Sequence, residues 1–201
     1  MSPDRAGVSH VPGLVKDLVN QFDHPLDFYR ELIQNSIDSG SNRVDVSLEY
    51  LSAGSAHGAV AGLPAPEAGG WALVRVEDDG EGMDERVIDE YLLVLFRSTK
   101  EGDFTKIGKF GIGFVSIFAI QPQRVRLHTA KNGESWRLDF PSYERYEKYR
   151  VSAMREGTLV EMVKAMGRKE YDELAARSRQ AISYWCKHSE ARIYFADRSG
   201  G

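Results

Sequence analysis

The chain has 201 residues, 42% of them hydrophobic and 28% charged, with a formal net charge of −4. That is enough for one substantial core, and the mildly acidic balance argues against a sequence-independent nucleic-acid surface, which needs a basic excess. The single cysteine, Cys186, excludes an internal disulfide and fits a reducing compartment. No run reaches the roughly 18 apolar residues of a membrane span, and the N-terminus lacks a signal-peptide core, so a cytoplasmic protein is expected.

Residues 1–12 are polar, contain Pro3 and Pro12, and read as a flexible or strand-like arm. Val15, Leu18, Val19 and Phe22 recur at helical spacing and predict a short amphipathic helix over about 13–22. The next helix, Phe28–Gly40, has Asp23 as its candidate cap and Gly40 as its stop. Tyr29, Leu32, Ile33 and Ile37 fall on one apolar arc, whereas Glu31, Asn35 and Asp38 stand at i, i+4 and i+7 on another side. Taken alone, that polar stack is equally the solvated face of an ordinary helix.

Arg43–Leu51 alternates as a half-buried strand, and Trp71–Glu77 reads as its return. Between them, residues 52–70 are rich in Gly, Ala and Pro and predict a long mobile connection without function. Directly after the second strand comes Asp78-Asp79-Gly80-Glu81-Gly82-Met83. Two glycines spaced by one residue let a backbone approach a flat ligand closely, and an Asp can accept from an exocyclic amine; tight turns share this composition.

Asp84–Phe96 predicts a helix with Val87, Ile88, Tyr91, Leu92 and Leu95 on one side. The polar stretch over 97–106 breaks that period and is a candidate lid, or a plain surface loop. In Ile107–Ile120, Gly108, Gly111 and Gly113 precede an apolar helix carrying Phe114. Such a glycine-rich turn can present N–H groups to phosphates, or can serve only to pack a helix tightly on a sheet. Further strands are predicted around Arg124–Ala130, Ser135–Phe140 and Gly157–Val163, with Asn132-Gly133 as a hairpin turn. Tyr143–Tyr149 reads as a solvated connection, Arg168–His188 as a helix, and Ala191–Phe195 as a closing strand.

Together these segments resemble the GHKL, or Hsp90-like, ATPases with a Bergerat nucleotide-binding fold. Glu31-Leu-Ile-Gln-Asn35-Ser-Ile-Asp38 is similar to that family's N-box, Asp78 through Met83 to its DxGxG box, and Gly108-Lys-Phe-Gly111-Ile-Gly113-Phe114 to its phosphate-side glycine box. Gly157-Thr158 is similar to the strand threonine at the adenine site. The segments FYRELIQNSIDS and IGKFGIGFVSIF look nearer to Hsp90 than to the mismatch-repair, topoisomerase or histidine-kinase branches. Ser39 stands where the family prefers Ala.

The resemblance implies a two-layer α/β sandwich, with a mixed, mostly antiparallel sheet and helices on one face. It implies one domain over 13–198, with a mobile loop at 52–70 and a lid at 97–110. It implies ATP with Mg²⁺ as cofactors: Asn35 would hold the metal, Glu31 would act as general base, and Asp78 and Thr158 would receive adenine. Gly82 and Met83 would wall the base and Asp38 would shape the pocket floor. Lys100, Gly108, Gly111, Gly113 and Phe114 would face the phosphates.

The expected function is ATP-driven lid closure and dimerisation, through the N-terminal segment, of an Hsp90-like chaperone machine. The alternatives are a nucleotide-sensing regulatory module or a mismatch-repair-like clamp without useful hydrolysis in isolation. In this family a Lys or Arg from a following domain completes the γ-phosphate site, and the few residues after Phe195 are not expected to supply one. The chain is therefore expected to be part of a longer protein or a stand-alone module, binding ATP and turning it over slowly.

Overall fold

The computed structural model describes residues 5–8, 12–22, 24–97, 109–152, 155–187 and 189–199. Its centre is an eight-stranded sheet: β1 (Arg5–Val8), β2 (Arg43–Ser52), β3 (Gly70–Asp78), β4 (Arg124–Lys131), β5 (Glu134–Ser142), β6 (Arg145–Arg150), β7 (Gly157–Ala165) and β8 (Arg192–Asp197). The spatial order is β1-β6-β5-β4-β7-β3-β2-β8. Every pairing is antiparallel except β2 with β8. The sheet is thus mixed and mostly antiparallel, as expected.

Period-two alternation makes the sheet two-faced. Val44, Val46 and Leu48 of β2, Val74 and Val76 of β3, Val125 and Leu127 of β4, and Val160 and Met162 of β7 all enter one core. Helices cover that face: α1 (Pro12–Val19), α2 (Phe28–Asp38), α5 (Lys109–Val115, continued by a 3-10 turn over Ser116–Ile120) and α6 (Arg168–Trp185). Before α5 lie α3 (Glu85–Val87), a π-helical turn (Ile88–Leu92) and α4 (Val94–Arg97). No helix among the described residues is long and apolar enough to cross a membrane.

α2 buries Phe28, Tyr29, Leu32, Ile33 and Ser36. The Tyr29 hydroxyl donates to Ser178 of α6 at 3.0 Å, and its complete burial holds it well above the usual tyrosine range. The helix begins after Asp27, whose carboxylate accepts the His24 N–H at 3.2 Å; the expected cap, Asp23, lies outside the described residues. Gly40, at φ +76°, ends it.

Arg5–Val8, in the arm read as flexible or strand-like, is an edge strand paired with β6. Three expectations change. Asp84–Phe96 is not one helix but three short segments, two of them joined through a π-helical turn. Tyr143–Tyr149 is not a solvated connection, because β6 occupies most of it and buries Tyr146 and Lys148. The inward position filled by a lysine hid the strand's alternation. Lys148 is fully buried and bonded to Glu85 and Asp89 at 2.8 and 3.1 Å, with its ammonium 4.6 Å from the Trp136 ring centroid.

The loop over 52–70 is likewise pinned at its middle. Ala59 and Val60 are buried against Leu51, Trp71, Leu73 and Val163, forming a second small core on the opposite sheet face. Arg124 donates to the carbonyls of Ala59 and Ala61 at 3.1 and 2.8 Å.

Candidate functional site

The site grows from a polar row across three strands. Asp78 ends β3 opposite Thr158 of β7, and Thr158 lies opposite Thr129 of β4. All three have the parity of the core-facing residues, so they project towards the helices. Ser36 descends onto this row from the buried face of α2.

Asp78 is 9% exposed. One carboxylate oxygen accepts the N–H groups of Gly80 and Thr158 at 3.0 and 3.2 Å, and the other accepts the Ser36 hydroxyl at 2.9 Å. Burial pushes the carboxyl above the usual aspartate range, against the pull of these hydrogen bonds. Thr129 is fully buried. Its hydroxyl accepts the Met83 N–H at 2.8 Å and lies 3.2 Å from both the Gly157 carbonyl and the Thr158 hydroxyl.

The glycines here serve protein packing. A Cβ at Gly80 would collide with the hydroxyls of Ser39 and Ser41, and one at Gly82, which also has φ +65°, would strike the carbonyls of Ala130 and Gly157. The close approach expected between this loop and a flat ligand is therefore, in the first instance, an approach between the loop and its own scaffold.

A cavity of about 330 Å³ opens above the row. Asn35, Asp38, Asp78, Gly82, Met83, Phe114 and Thr158 line it, so the structure brings together seven of the residues singled out from the sequence. Its walls are mostly apolar, with Leu32, Val76, Leu92, Leu127 and Val160 among them, and Tyr91 and Lys131 also border it. Lys131 is bound to Glu81 at 2.5 Å.

Glu31 and Gly113 are not among the lining residues. They meet each other beside the cavity instead. A Cβ on Gly113 would lie 3.0 Å from Glu31 Oε2 and 3.7 Å from Asn35 Nδ2. Gly111 and Gly113 sit inside α5, not in a turn ahead of it. A helix-interior glycine costs about 1 kcal/mol relative to Ala, and at Gly113 the reason is the close fit of α5 against the polar stack of α2. Lys100, Gly108 and most of the 97–110 segment lie outside the described residues.

Among the described residues the Asn35 side chain makes no hydrogen bond, and Asp38 accepts from Gln34 at 2.7 Å. No group of three or more His, Cys, Asp or Glu side chains among those residues could hold a metal alone. A cation here would have to share its ligands with a bound molecule, as Mg²⁺ does with phosphates.

Sequence reasoning missed Ser36 and Thr129. Both carried a signal: each is a hydroxyl at a position that the helical or strand period assigns to the core, where a polar group needs a partner.

A family model described as "Histidine kinase-, DNA gyrase B-, and HSP90-like ATPase" matches residues 29–168. The chain belongs to this ATPase family. The match spans nearly all of α2, the polar row and both glycine segments. Among curated proteins, the DNA mismatch repair protein MutL of Pseudomonas putida (strain W619) is 27% identical over 171 residues, covering 78% of this chain and 24% of that protein. MutL of Anaeromyxobacter sp. (strain K) is 32% identical over 161 residues, covering 75% of this chain and 23% of that protein. MutL of Pseudomonas aeruginosa (strain LESB58) is 26% identical over 148 residues. The chain spans about a quarter of the length of these relatives. They are mismatch-repair proteins, whereas the motifs had pointed towards the Hsp90 branch.

Proposed function

We propose that this domain is the ATP-binding and ATP-hydrolysing module of a mismatch-repair-like clamp. The observation that carries the nucleotide pose is Asp78. Three protein donors fix its carboxylate at the cavity floor, and a carboxylate has about four acceptor sites. The remaining capacity suits the exocyclic amine of adenine, which guanine lacks at that position. Gly82 and Met83 would flank the base, with Thr158 beside Asp78.

The phosphates would extend towards Asn35, Phe114 and α5. Asn35 fits a Mg²⁺ ligand because its amide has no competing hydrogen bond among the described residues. The ion would neutralise phosphate charge when bound. Glu31, one helical turn from Asn35 and held against Gly113, is the candidate general base for the attacking water. A base one turn from a metal ligand favours hydrolysis over a purely sensing module. An Hsp90-like chaperone would use the same chemistry, but the relatives named above favour the clamp. The partners proposed are ATP or ADP and a second copy engaged through the N-terminal segment in the ATP state. That segment is held by four paired residues at the sheet edge.

Calorimetric titration tests the pose. Wild-type chain should bind ADP with Mg²⁺, and Asp78→Asn should bind it far more weakly; equal affinities would remove adenine from the Asp78 floor.

A further inference from the structure

Arg30 and Glu31 are adjacent on α2, and adjacent helical residues do not ordinarily face one another. Here they do. Arg30 Nε and Nη2 lie 3.0 and 2.6 Å from the same Glu31 oxygen, Oε1. To get there the arginine reaches around the helix, and its guanidinium lies 5.1 Å from the ring centroid of Trp185 at the end of α6. Trp185 is in turn set edge-on against Tyr184, with centroids 4.9 Å apart. Both rings are substantially exposed, at 44% and 74%, so neither is there to fill the core.

Oε1 is thus engaged by Arg30, and Glu31 is absent from the cavity lining. Resting on the proposed role of Glu31 as base, we propose that Arg30 is its positioning residue. Arg30 holds the carboxylate beside the nucleotide site in the resting state, and Trp185 is the platform that keeps Arg30 in place. A cation stacked on an indole face gains from the ring quadrupole while retaining its hydrogen bonds, so the two contacts reinforce each other. Turnover then requires the Arg30 fork to open, which frees Oε1 to address water.

The test combines three variants with two readouts. Arg30→Ala should raise kcat about two- to fivefold, the range set by one half-exposed ion pair. Its KM and ADP affinity should be unchanged, since Arg30 touches neither the cavity nor its floor. Trp185→Ala should move kcat the same way by less, and Trp185→Phe, which keeps an aromatic face, should recover part of the wild-type restraint. The double variant Arg30→Ala/Glu31→Ala should be as slow as Glu31→Ala alone.

An unchanged or lower kcat in Arg30→Ala with intact ADP affinity overturns the restraint. So does an equal rise in the Glu31→Ala background. If Glu31→Ala itself turns over at the wild-type rate, the base assignment fails, and that outcome is distinct from failure of the restraint. A readout independent of turnover is the ¹H–¹⁵N indole resonance of Trp185, assigned by its loss in Trp185→Phe. Glu31→Gln should shift it, because the Arg30 fork loses its charged partner. A resonance that does not move overturns the linkage even if no hydrolysis is measurable.

Discussion

The floor of the cavity and the polar stack of α2 beside it are built in opposite ways. At the floor, Asp78, Ser36, Thr129 and Thr158 are buried or nearly so, cross-bonded, and placed by strand register and by the buried face of α2. In the stack, Glu31 and Asn35 are half-exposed, one tied to a neighbouring arginine and the other without a hydrogen bond among the described residues. The floor is finished before any ligand arrives, whereas the stack keeps its bonding capacity in reserve. Under the proposed assignment, recognition is rigid while chemistry stays conditional, because changing the contacts of Glu31 and Asn35 costs little in the fold.

Substitutions can break that contrast. The largest effect is expected at Glu31, where Ala should lower hydrolysis by roughly 10²–10⁴ while leaving ADP affinity within about tenfold. Paired rate and binding measurements decide it; a matching loss of affinity would make Glu31 part of the binding framework. Next is Asp78→Asn, which leaves mismatched buried groups costing about 1–3 kcal/mol. ADP affinity should fall on the order of ten- to a hundredfold by calorimetry.

Thr129→Val removes the acceptor of the Met83 N–H from the same floor. It should destabilise the fold by about 1–3 kcal/mol in urea unfolding, whereas Asn35→Ala in the stack should leave unfolding nearly unchanged and weaken Mg²⁺-dependent binding. Equal destabilisation by the two would erase the distinction between floor and stack.

The smallest expected effect is a pH dependence. Burial raises the Asp78 carboxyl, so its stabilising contribution is present below the ordinary aspartate value and lost as pH rises through the raised one. The charged form that accepts an amine is lost in the opposite direction, as pH falls through that window. ADP affinity should decline on acidification before ordinary carboxylates titrate, and Asp78→Asn should flatten that part of the profile.

Much of this was legible in the residues. The spacing of Glu31, Asn35 and Asp38, and Asp78 at the end of an alternating strand, placed the polar stack and the cavity floor. What stayed hidden had physical causes. Lys148 broke the alternation of β6 because a buried ammonium needs two carboxylates from another segment, a partnership no local pattern displays. Gly113 read as part of a phosphate loop because its real neighbour, Glu31, is distant in sequence. Ser36 and Thr129 were passed over because a small hydroxyl inside an apolar period looks like noise until its partner is known.

The outer-face loop carries a consequence for how this domain can drift. Arg124 grips the 52–70 segment through carbonyl oxygens, groups that every amino acid supplies. Side-chain identity is constrained there at Ala59, Val60 and Leu63 in the small core, at His57, whose ring meets Arg75, and at Gly62 and Gly69, which have positive φ. The segment can thus exchange most of its letters, and absorb inserted ones near its ends, without the sheet beneath registering the change. A peptide tag placed between Ser52 and Ser55, or between Pro64 and Glu67, would ride on the side of the sheet opposite the cavity and leave the cavity undisturbed.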